Sequence, residues 1–378
     1  MSTGLYRFAL LLFFLPLLAC ATKGKEETPM DSEIYTPSIS DKFEIKGDEK
    51  SANTIIRVKN PWQDASGINK ELLILRDSLS QEKYSGVSIK GEAQRIVCMS
   101  STHVAMMDAL GATDRIVGVS GMPYITNKYI RENEKRIADV GYEGNMDYEK
   151  LLAIKPDLVL LYSINGASTL EKKLEEFGIP YLYIGDYVEE DPLGNAEWLI
   201  PIAEVIGKRD EGIKLFNDIS SRYKSMKDKV TGKNLVRPKV MLNSPIGDSW
   251  FLPSPKSYVA RMMEDAGAEY IFKKDTGSGA VPIDIEEAYL MEEKSDFWLN
   301  PGSVKSIEEL KTLMPKFKDA ELVKKGNIYN NNRITSSGGG NDCYESGVVN
   351  PDLILRDLIK IFHPDLIEED FVYYQKLN

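Results

Sequence analysis

Residues that could carry acid–base or nucleophilic chemistry are few in this sequence and stand far apart. Histidine occurs only twice in 378 residues, as His103 early in a helical pattern and as His363 in the segment IFHPDL. No spacing brings a nucleophile, a histidine and an acid together as a catalytic set. His103 could bind a metal or an anion, but a lone histidine without ligand-spaced partners favours helix packing. The sequence therefore predicts a protein that is not an enzyme, with no catalytic residue and no metal ligand.

Phosphate-binding loops are also missing. No GxGxxG motif follows the first strand-like segment and no GxxxxGK[ST] motif occurs, so nucleotide binding is not predicted. The run Gly338-Gly339-Gly340 lacks the lysine and the hydroxyl of a phosphate loop, and it suits a flexible or closely approached loop. The net charge of −11 argues against nucleic acid as a partner, because phosphate backbones bind basic surfaces.

The N-terminus has the layout of an export signal. Arg7 precedes the apolar run Phe8–Leu18, which is too short to cross a bilayer comfortably as a mature helix. Ala19 and Cys20 complete the sequence LLAC, which resembles a lipobox, where the signal is cleaved before a lipid-bearing cysteine. A plain signal peptide with an incidental cysteine is the alternative. We expect Cys20 to be lipidated, and the polar stretch after it to form a tether.

Two further cysteines, Cys98 and Cys343, are separated by most of the chain. Export would permit a disulfide, but nothing in the sequence shows that the two residues meet. Cys98 lies inside an apolar run, where a free cysteine behaves as a small buried hydrophobe. We therefore expect Cys98 to be a core residue.

From Arg95 onward the hydrophobic pattern alternates between strands and helices. RIVCMS predicts a strand buried on both faces, THVAMMDALG predicts a helix, and RIVGVSG predicts the next strand. DYEKLLAIKPDLVLLYS and TLEKKLEEFGIPYLYIG repeat the order of helix and strand. This alternation predicts an α/β fold built on parallel sheets.

The second half of the chain repeats the layout of the first. Residues 104–117, VAMMDALGATDRIV, match residues 259–272, VARMMEDAGAEYIF, and YEKLLAIKPDLVLL from Tyr148 matches EEAYLMEEKSDFWL from Glu286. Two matches in the same order predict two related Rossmann-like lobes joined by one long linker helix. Pro201 and Gly207 predict a kink or break near the start of that helix.

These patterns divide the chain into five parts. An apparent β-meander built from IIRVKNPWQ and KELLILRDS precedes the first lobe. The predicted parts are a signal peptide with lipobox at 1–20, a tether and small β-rich extension at 21–92, an N-terminal α/β lobe at 93–190, a linker helix at 191–232 and a C-terminal α/β lobe at 233–378.

Loops at the carboxyl ends of the strands are the expected binding site, because ligands bind there in open parallel sheets. Aromatic and small polar residues recur in these loops, which suits a bulky and partly apolar ligand held between two lobes. Instead of binding a ligand, Trp250 and Phe251 could pack on neighbouring side chains. Ser101 and Thr102 could likewise only cap their helix. The predicted ligand-binding residues are Ser101, Thr102, Tyr124, Tyr162, Trp250, Phe251, Arg333 and Tyr344.

Three segments of the sequence resemble a known protein family. RIVCMSSTHVAMMDALGATDRIVGVSG, VGYEGNMDYEKLLAIKPDLVLL and IEEAYLMEEKSDFWLNPG are similar to periplasmic binding proteins that serve ABC importers of iron–siderophores, haem and vitamin B12. The resemblance extends from about Arg95 to Asp365 and leaves residues 21–92 outside. It implies two Rossmann-like lobes joined by a helix. Together with the lipobox it predicts a periplasmic protein that a lipid anchors to the membrane, with the cell surface as the alternative location, and we expect a monomer.

The same resemblance implies contacts with a permease. In the family, one glutamate on each lobe docks into permease arginines, and the matching positions here are Glu149 and Glu287 or its neighbour Glu286. Glu287 lies one residue farther from Asp296 than Glu149 lies from Asp157, so the second position stays open between the two. An exposed acid at a helix start is also simply a favourable partner for the helix dipole.

The resemblance also implies the ligand class. Ferric catecholates would require several cations in the cleft, and the loops contain chiefly Arg333. We expect an iron–siderophore chelate, with a corrinoid or haem as the alternative. Such ligands carry their own iron or cobalt, so no separate cofactor is expected. A chelatase-like enzyme of this fold and a purely structural surface lipoprotein are the remaining alternatives.

Overall fold

The computed structural model describes residues 30–47, 52–76, 86–274 and 279–378. The predicted signal peptide, Cys20 and the start of the tether lie outside the described residues. Among the residues described, no helix combines the length and the apolar composition needed to cross a bilayer.

The N-terminal extension is a five-stranded sheet with the strands in chain order. Neighbouring strands pair antiparallel, except that the last strand runs parallel to the fourth. Alternate residues of the second strand are buried, as expected for a sheet with one face on the core. The strands are β1 Ser32–Tyr35, β2 Phe43–Gly47, β3 Thr54–Lys59, β4 Asn69–Leu75 and β5 Ser88–Lys90. The two segments that predicted a β-meander form the antiparallel pair β3–β4, and β1, β2 and β5 extend that pair.

The first lobe alternates strands and helices, as the hydrophobic pattern predicts. In chain order its elements are β6 Ile96–Cys98, α1 Ser101–Ala109, β7 Ile116–Val119, α2 Lys128–Glu132, β8 Ala138–Asp139, β9 Gly141–Tyr142, β10 Asn145–Met146, α3 Tyr148–Ala153, β11 Leu158–Leu161, α4 Thr169–Phe177 and β12 Tyr181–Tyr183. The sheet order is β12-β11-β6-β7-β8, and these strands pair parallel. β9 and β10 form a separate antiparallel pair.

Three helices, rather than one long linker helix, connect the lobes. They are α5 Pro192–Glu197, α6 Leu199–Val205 and α7 Arg209–Asp228. Gly207 adopts a φ of +74°, a left-handed conformation that ends α6 and that glycine adopts without strain. The break therefore lies where Gly207 predicts it. Pro201 lies in the first turn of α6, where a missing backbone N–H removes no helical hydrogen bond.

The second lobe contains another mostly parallel sheet. Its strands are β13 Lys239–Leu242, β14 Pro245–Ile246, β15 Ser249–Leu252, β16 Glu269–Tyr270, β17 Val281–Ile283, β18 Phe297–Leu299, β19 Ile328–Asn330 and β20 Gln375–Lys376. Its helices are α8 Tyr258–Asp265, α9 Ile285–Glu292, α10 Ile307–Leu313, α11 Glu321–Lys325, α12 Asp342–Glu345 and α13 Pro351–Phe362. The order is β16-β13-β18-β19-β20, with only β20 antiparallel, while β14, β15 and β17 form a small antiparallel sheet.

The two main sheets share one topology. The order β12-β11-β6-β7 of the first lobe corresponds to β19-β18-β13-β16 of the second. Equivalent aspartates precede the corresponding strands: Asp157 accepts a hydrogen bond from the backbone N–H of Arg95, and Asp296 accepts one from that of Lys239. The internal repeat predicted from the sequence is therefore present in the fold.

Candidate functional site

A cavity of about 310 Å³ lies between the two lobes. This volume is at the lower end of the range of small-molecule sites, about 300–1,000 Å³. Residues from both lobes and from the helices between them form its wall, close to the carboxyl ends of the parallel strands. The lining residues are Thr102, Asp186, Tyr187, Pro192, Asn195, Asn243, Pro253, Tyr258, Val259, Met262, Met263, Asn300, Asn331, Cys343, Tyr344, Gly347, Val348, Pro351, Ile354, Leu358 and Tyr374.

Two helices of the second lobe supply the apolar part of the wall. Val259, Met262 and Met263 lie at helical spacing on α8, and Ile354 and Leu358 lie one turn apart on α13. Unbranched, polarizable methionine side chains adapt to ligands of irregular shape. This part of the cavity can therefore hold a bulky apolar surface.

Three asparagines form a polar row along the second sheet. Asn243, Asn300 and Asn331 directly follow β13, β18 and β19, three strands that are neighbours in the sheet, and all three line the cavity. Asn243 and Asn300 have φ angles of +67° and +59°, which asparagine tolerates better than most residues. The row was not among the predicted site residues. In the sequence, an apolar strand segment followed directly by asparagine recurs in VMLN and FWLN, and this repeat could have indicated the row.

The first lobe contributes a hydroxyl and a carboxylate. Ser100 caps α1 by accepting a hydrogen bond from the backbone N–H of Thr102, and the two hydroxyl oxygens lie 2.9 Å apart. Asp186 lies in the cavity wall, and the Thr102 side chain stabilises the charged form of its carboxyl group. Burial raises the pKa of Asp186 to about 6. Of the two hydroxyl residues predicted here, Thr102 lines the cavity and Ser101 does not.

The aromatic predictions separate into two groups. Tyr344 lines the cavity, and Phe251 lies partly exposed on β15 outside it. Trp250 is fully buried, its Nε1–H donates to the backbone oxygen of Leu242, and its ring packs against Trp298. Assigning Trp250 to the ligand site is therefore not supported. Successive strand residues point to opposite faces, so Trp250 faces the core and Phe251 faces the other side of β15.

Three other predicted residues lie outside the cavity. Tyr162 stands edge-on to Tyr187, a lining residue, with 6.5 Å between the ring centroids. Arg333 is exposed, and its backbone N–H donates to the backbone oxygen of Tyr373. Tyr124 is 59% exposed and belongs to a loop through which the two lobes touch.

The triglycine segment packs against that loop. The Ser336 hydroxyl and the Gly338 N–H both donate to the Pro123 backbone oxygen. A Cβ atom on Gly340 would lie 1.7 Å from the Tyr124 backbone oxygen. The glycines therefore permit a close approach between backbones of the two lobes, one of the two roles that the sequence suggested.

A carboxylate joins the lobes at the same place. Glu345 on α12 accepts hydrogen bonds from the backbone N–H groups of Thr126 and Asn127, each at 2.7 Å. Asp342 accepts another from the Thr126 hydroxyl at 2.6 Å. These bonds connect the segment preceding α2 of the first lobe to α12 of the second.

The histidines and cysteines have structural positions. His103 is fully buried on α1, and burial lowers its pKa to about 3, so the imidazole is neutral at physiological pH. His363 follows α13 and lies 3.3 Å from the Gly267 backbone oxygen. Cys98 and Cys343 are both free and buried. Within the described part of the chain, no group of three or more His, Cys, Asp or Glu residues is arranged to hold a metal ion.

Helix caps fix the equivalence of the surface glutamates. Asp147 and Asp284 cap α3 and α9 by accepting from the backbone N–H groups of Lys150 and Glu287. The second helical residues are therefore Glu149 and Glu286, and both are exposed. α9 is two residues longer than α3, which accounts for the different spacing to the following strand.

The other candidate, Glu287, occupies the third helical position. Its carboxylate lies 2.6 Å from the Lys274 Nζ and is only partly exposed. Glu286 is exposed over 78% of its side chain, with a looser contact of 3.6 Å to Lys316. By position and exposure, Glu286 is the counterpart of Glu149.

A lipoprotein and a vitamin B12-binding protein are similar to this chain in sequence. An uncharacterized lipoprotein of Methanocaldococcus jannaschii is 27% identical over 282 residues, which cover 72% of this chain and 65% of that protein. The chain thus spans just under two thirds of the length of this relative. A vitamin B12-binding protein of Vibrio campbellii is 28% identical over 201 residues, covering 52% of this chain and 67% of the relative.

Solved structures share the fold. The siderophore-binding protein FhuD of Vibrio cholerae, determined with bound Fe³⁺–Desferal, superimposes with a TM-score of 0.53 at 20% identity, covering 71% of this chain and 99% of that structure. The family model described as periplasmic binding protein matches residues 96–334, more than half of the chain. The match begins at β6 and spans both main sheets up to the loop after β19. This chain is a member of the periplasmic binding protein family.

Proposed function

We propose that this protein captures a metal chelate between its lobes and delivers it to the permease of an ABC importer. The observation that carries the proposal is the cavity, which is largely apolar and lined by residues from both sides of the interlobe cleft. Burial of a bulky ligand there removes apolar surface from water on two faces at once. The placement in the family supports a binding protein rather than an enzyme.

The ligand is an iron–siderophore complex of the hydroxamate type. Amides, phenols, the hydroxyl residue Thr102 and the acid Asp186 form the polar part of the cavity wall, and no lysine, arginine or histidine among the described residues lines it. Ferric catecholates carry several negative charges, which such a wall does not compensate. A corrinoid is the second candidate, favoured by the similarity to the vitamin B12-binding protein. Both ligands bring their own metal, so the protein supplies no metal ligands.

Delivery requires an encounter with the permease, and we assign this contact to Glu149 and Glu286. Each is the second residue of a capped helix on its own lobe, and each side chain is exposed. Lipidation at Cys20 would hold the protein at the periplasmic face of the membrane, and a lipoprotein is among its relatives. The protein would act there as a monomer, since one chain provides both walls of the cavity.

Ligand capture is tested by binding measurements on the purified protein. Ferric hydroxamates, ferric catecholates, haem and cobalamin are titrated while intrinsic fluorescence and thermal stability are recorded, because a bound ligand raises the apparent stability by mass action. Val259→Trp fills the cavity wall and should abolish binding. Val236→Trp, at a position 87% exposed, makes the same change on the surface and should bind normally.

The proposal fails if no member of this panel binds. It also fails if Val259→Trp binds as tightly as the unmodified protein while remaining folded by circular dichroism.

A further inference from the structure

Asp186 is a buried carboxylate without a cationic partner. Its residue is 4% exposed, and none of the ion pairs among the described residues involves it. The Thr102 side chain and the backbone at Tyr187 stabilise the charged form of the carboxyl group. Burial outweighs them and raises the pKa of the carboxyl to about 6.

The surroundings of Asp186 contain phenols and amides rather than cations. The groups that interact with its charge are Tyr162, Tyr187 and Tyr258, and each phenol pKa is raised, first by burial. Across the cavity, Asn300 carries a buried Oδ1 that has no hydrogen-bond partner in the described chain. The wall therefore offers unused acceptor capacity and one negative charge at physiological pH, and none of the described residues that line it carries a positive charge.

A second buried acid, Glu189, lies nearby but has a different environment from Asp186. Glu189 lies three residues farther along, is 7% exposed and accepts hydrogen bonds from the Ser40 hydroxyl and from Nε1 of Trp198. It does not line the cavity. Glu189 is hydrogen-bonded within the fold, whereas Asp186 belongs to the wall of the cavity that a ligand would occupy.

We propose that Asp186 selects ligands by charge, favouring chelates that carry a protonated amine or a net positive charge over neutral and anionic chelates. This inference rests on the proposed function and adds the charge class of the ligand to it. An isolated carboxylate in an apolar wall is costly until a cation approaches it. A cationic ligand supplies that partner, and a polyanionic ligand meets repulsion in a site of low dielectric constant.

The test compares chelates that share one coordination chemistry and differ in charge. Ferrioxamine B carries a protonated terminal amine, cyclic ferrioxamine E has the same ferric trihydroxamate core without that amine, and ferric enterobactin is trianionic. For corrinoids, monocationic aquacyanocobinamide is paired with neutral dicyanocobinamide. Dissociation constants are measured by fluorescence quenching for the unmodified protein, Asp186→Asn and the matched control Glu189→Gln.

We expect the unmodified protein to bind the cationic member of a pair about tenfold more tightly than the neutral member. Asp186→Asn should bring that ratio close to one, and Glu189→Gln should keep it. The charge proposal is overturned if Asp186→Asn keeps the ratio, or if the unmodified protein shows no preference within a pair.

The charge proposal is also overturned if the unmodified protein binds ferric enterobactin or haem more tightly than the cationic chelates. This measurement uses the unmodified protein, so it does not depend on whether a variant folds. These results would leave the capture of a metal chelate intact. Absence of binding by every member of both panels would instead remove the proposed function, and the charge proposal with it.

Discussion

Glu189 links the stability of this protein to pH at the scale of a single residue. Its carboxylate is enclosed between Ser40 of the extension and Trp198 of the linker region, and burial raises its pKa from 4.5 to about 7. The folded protein thus holds a proton at this site more tightly than the unfolded chain does. It follows that the free energy of unfolding contributed by Glu189 decreases as pH rises from about 4.5 to about 7.

Glu189→Gln should remove this dependence, because glutamine does not titrate. Between about pH 5 and about pH 8, the unmodified protein should lose up to about 3 kcal/mol of stability relative to the variant. Urea unfolding at several pH values measures the difference. Glu190→Gln, on the exposed neighbouring residue, is the control and should follow the unmodified protein. If the free energy of unfolding changes with pH in the same way for Glu189→Gln and the unmodified protein, Glu189 is not the source of this pH dependence.

At the scale of elements, one glutamate joins the N-terminal extension to the helices between the lobes. Glu197, the last residue of α5, is fully buried and accepts hydrogen bonds from the backbone N–H groups of Ser38, Ile39 and Ser40. The Tyr35 hydroxyl donates to the same carboxylate at 2.8 Å. The chain between β1 and β2 therefore folds around this carboxylate, and the extension is part of the main body.

Removing the acceptor should loosen the extension locally. Glu197→Ala leaves these donors without a partner, at a cost of about 1–3 kcal/mol for each buried group left unsatisfied. Hydrogen exchange should rise in residues 32–47 before it rises in the sheet of either lobe. Glu190→Ala, the exposed control, should leave exchange unchanged. Equal exchange in Glu197→Ala and the unmodified protein would show that contacts other than those of Glu197 hold the extension.

For the whole molecule, the two lobes present equivalent surfaces. Glu149 and Glu286 follow equivalent caps on α3 and α9, and each side chain lies at the start of a helix on its own lobe. Their separation is set by how the lobes are joined, through the helices α5 to α7 and through the contacts of Glu345 with residues 126 and 127. A permease that binds both glutamates would thus recognise the relative position of the lobes as well as the charges.

Charge reversal at both positions should separate transport from binding. The variant Glu149→Lys with Glu286→Lys should lose ligand-dependent stimulation of the permease ATPase by about tenfold or more, because each docking charge becomes repulsive. Its affinity for the ligand should stay unchanged, since neither residue lines the cavity. Glu287→Lys with Glu149 intact is the matched control and should retain most stimulation. Full stimulation by the double variant would exclude docking at these positions.

Sequence periodicity by itself determined the α/β alternation, the repeat of one lobe in the other and the break at Gly207. These are properties of neighbouring residues, since helix and strand periods and the conformational freedom of glycine act within a few positions. The position of the cavity near the carboxyl ends of the strands was also predictable, because parallel sheets place those ends together. Thr102 and Tyr344, two residues predicted from these loops, line the cavity.

Only the tertiary structure decided which side chains of those loops reach the cavity. Trp250 and Phe251 are adjacent in sequence but face opposite sides of β15, and neither lines the cavity. Asp186 was not predicted from the sequence, because its burial, with no ion pair to another described residue, depends on all the residues packed around it. The structural equivalence of Glu286, rather than Glu287, with Glu149 likewise depends on the helix cap at Asp284, since sequence spacing does not show where a helix begins.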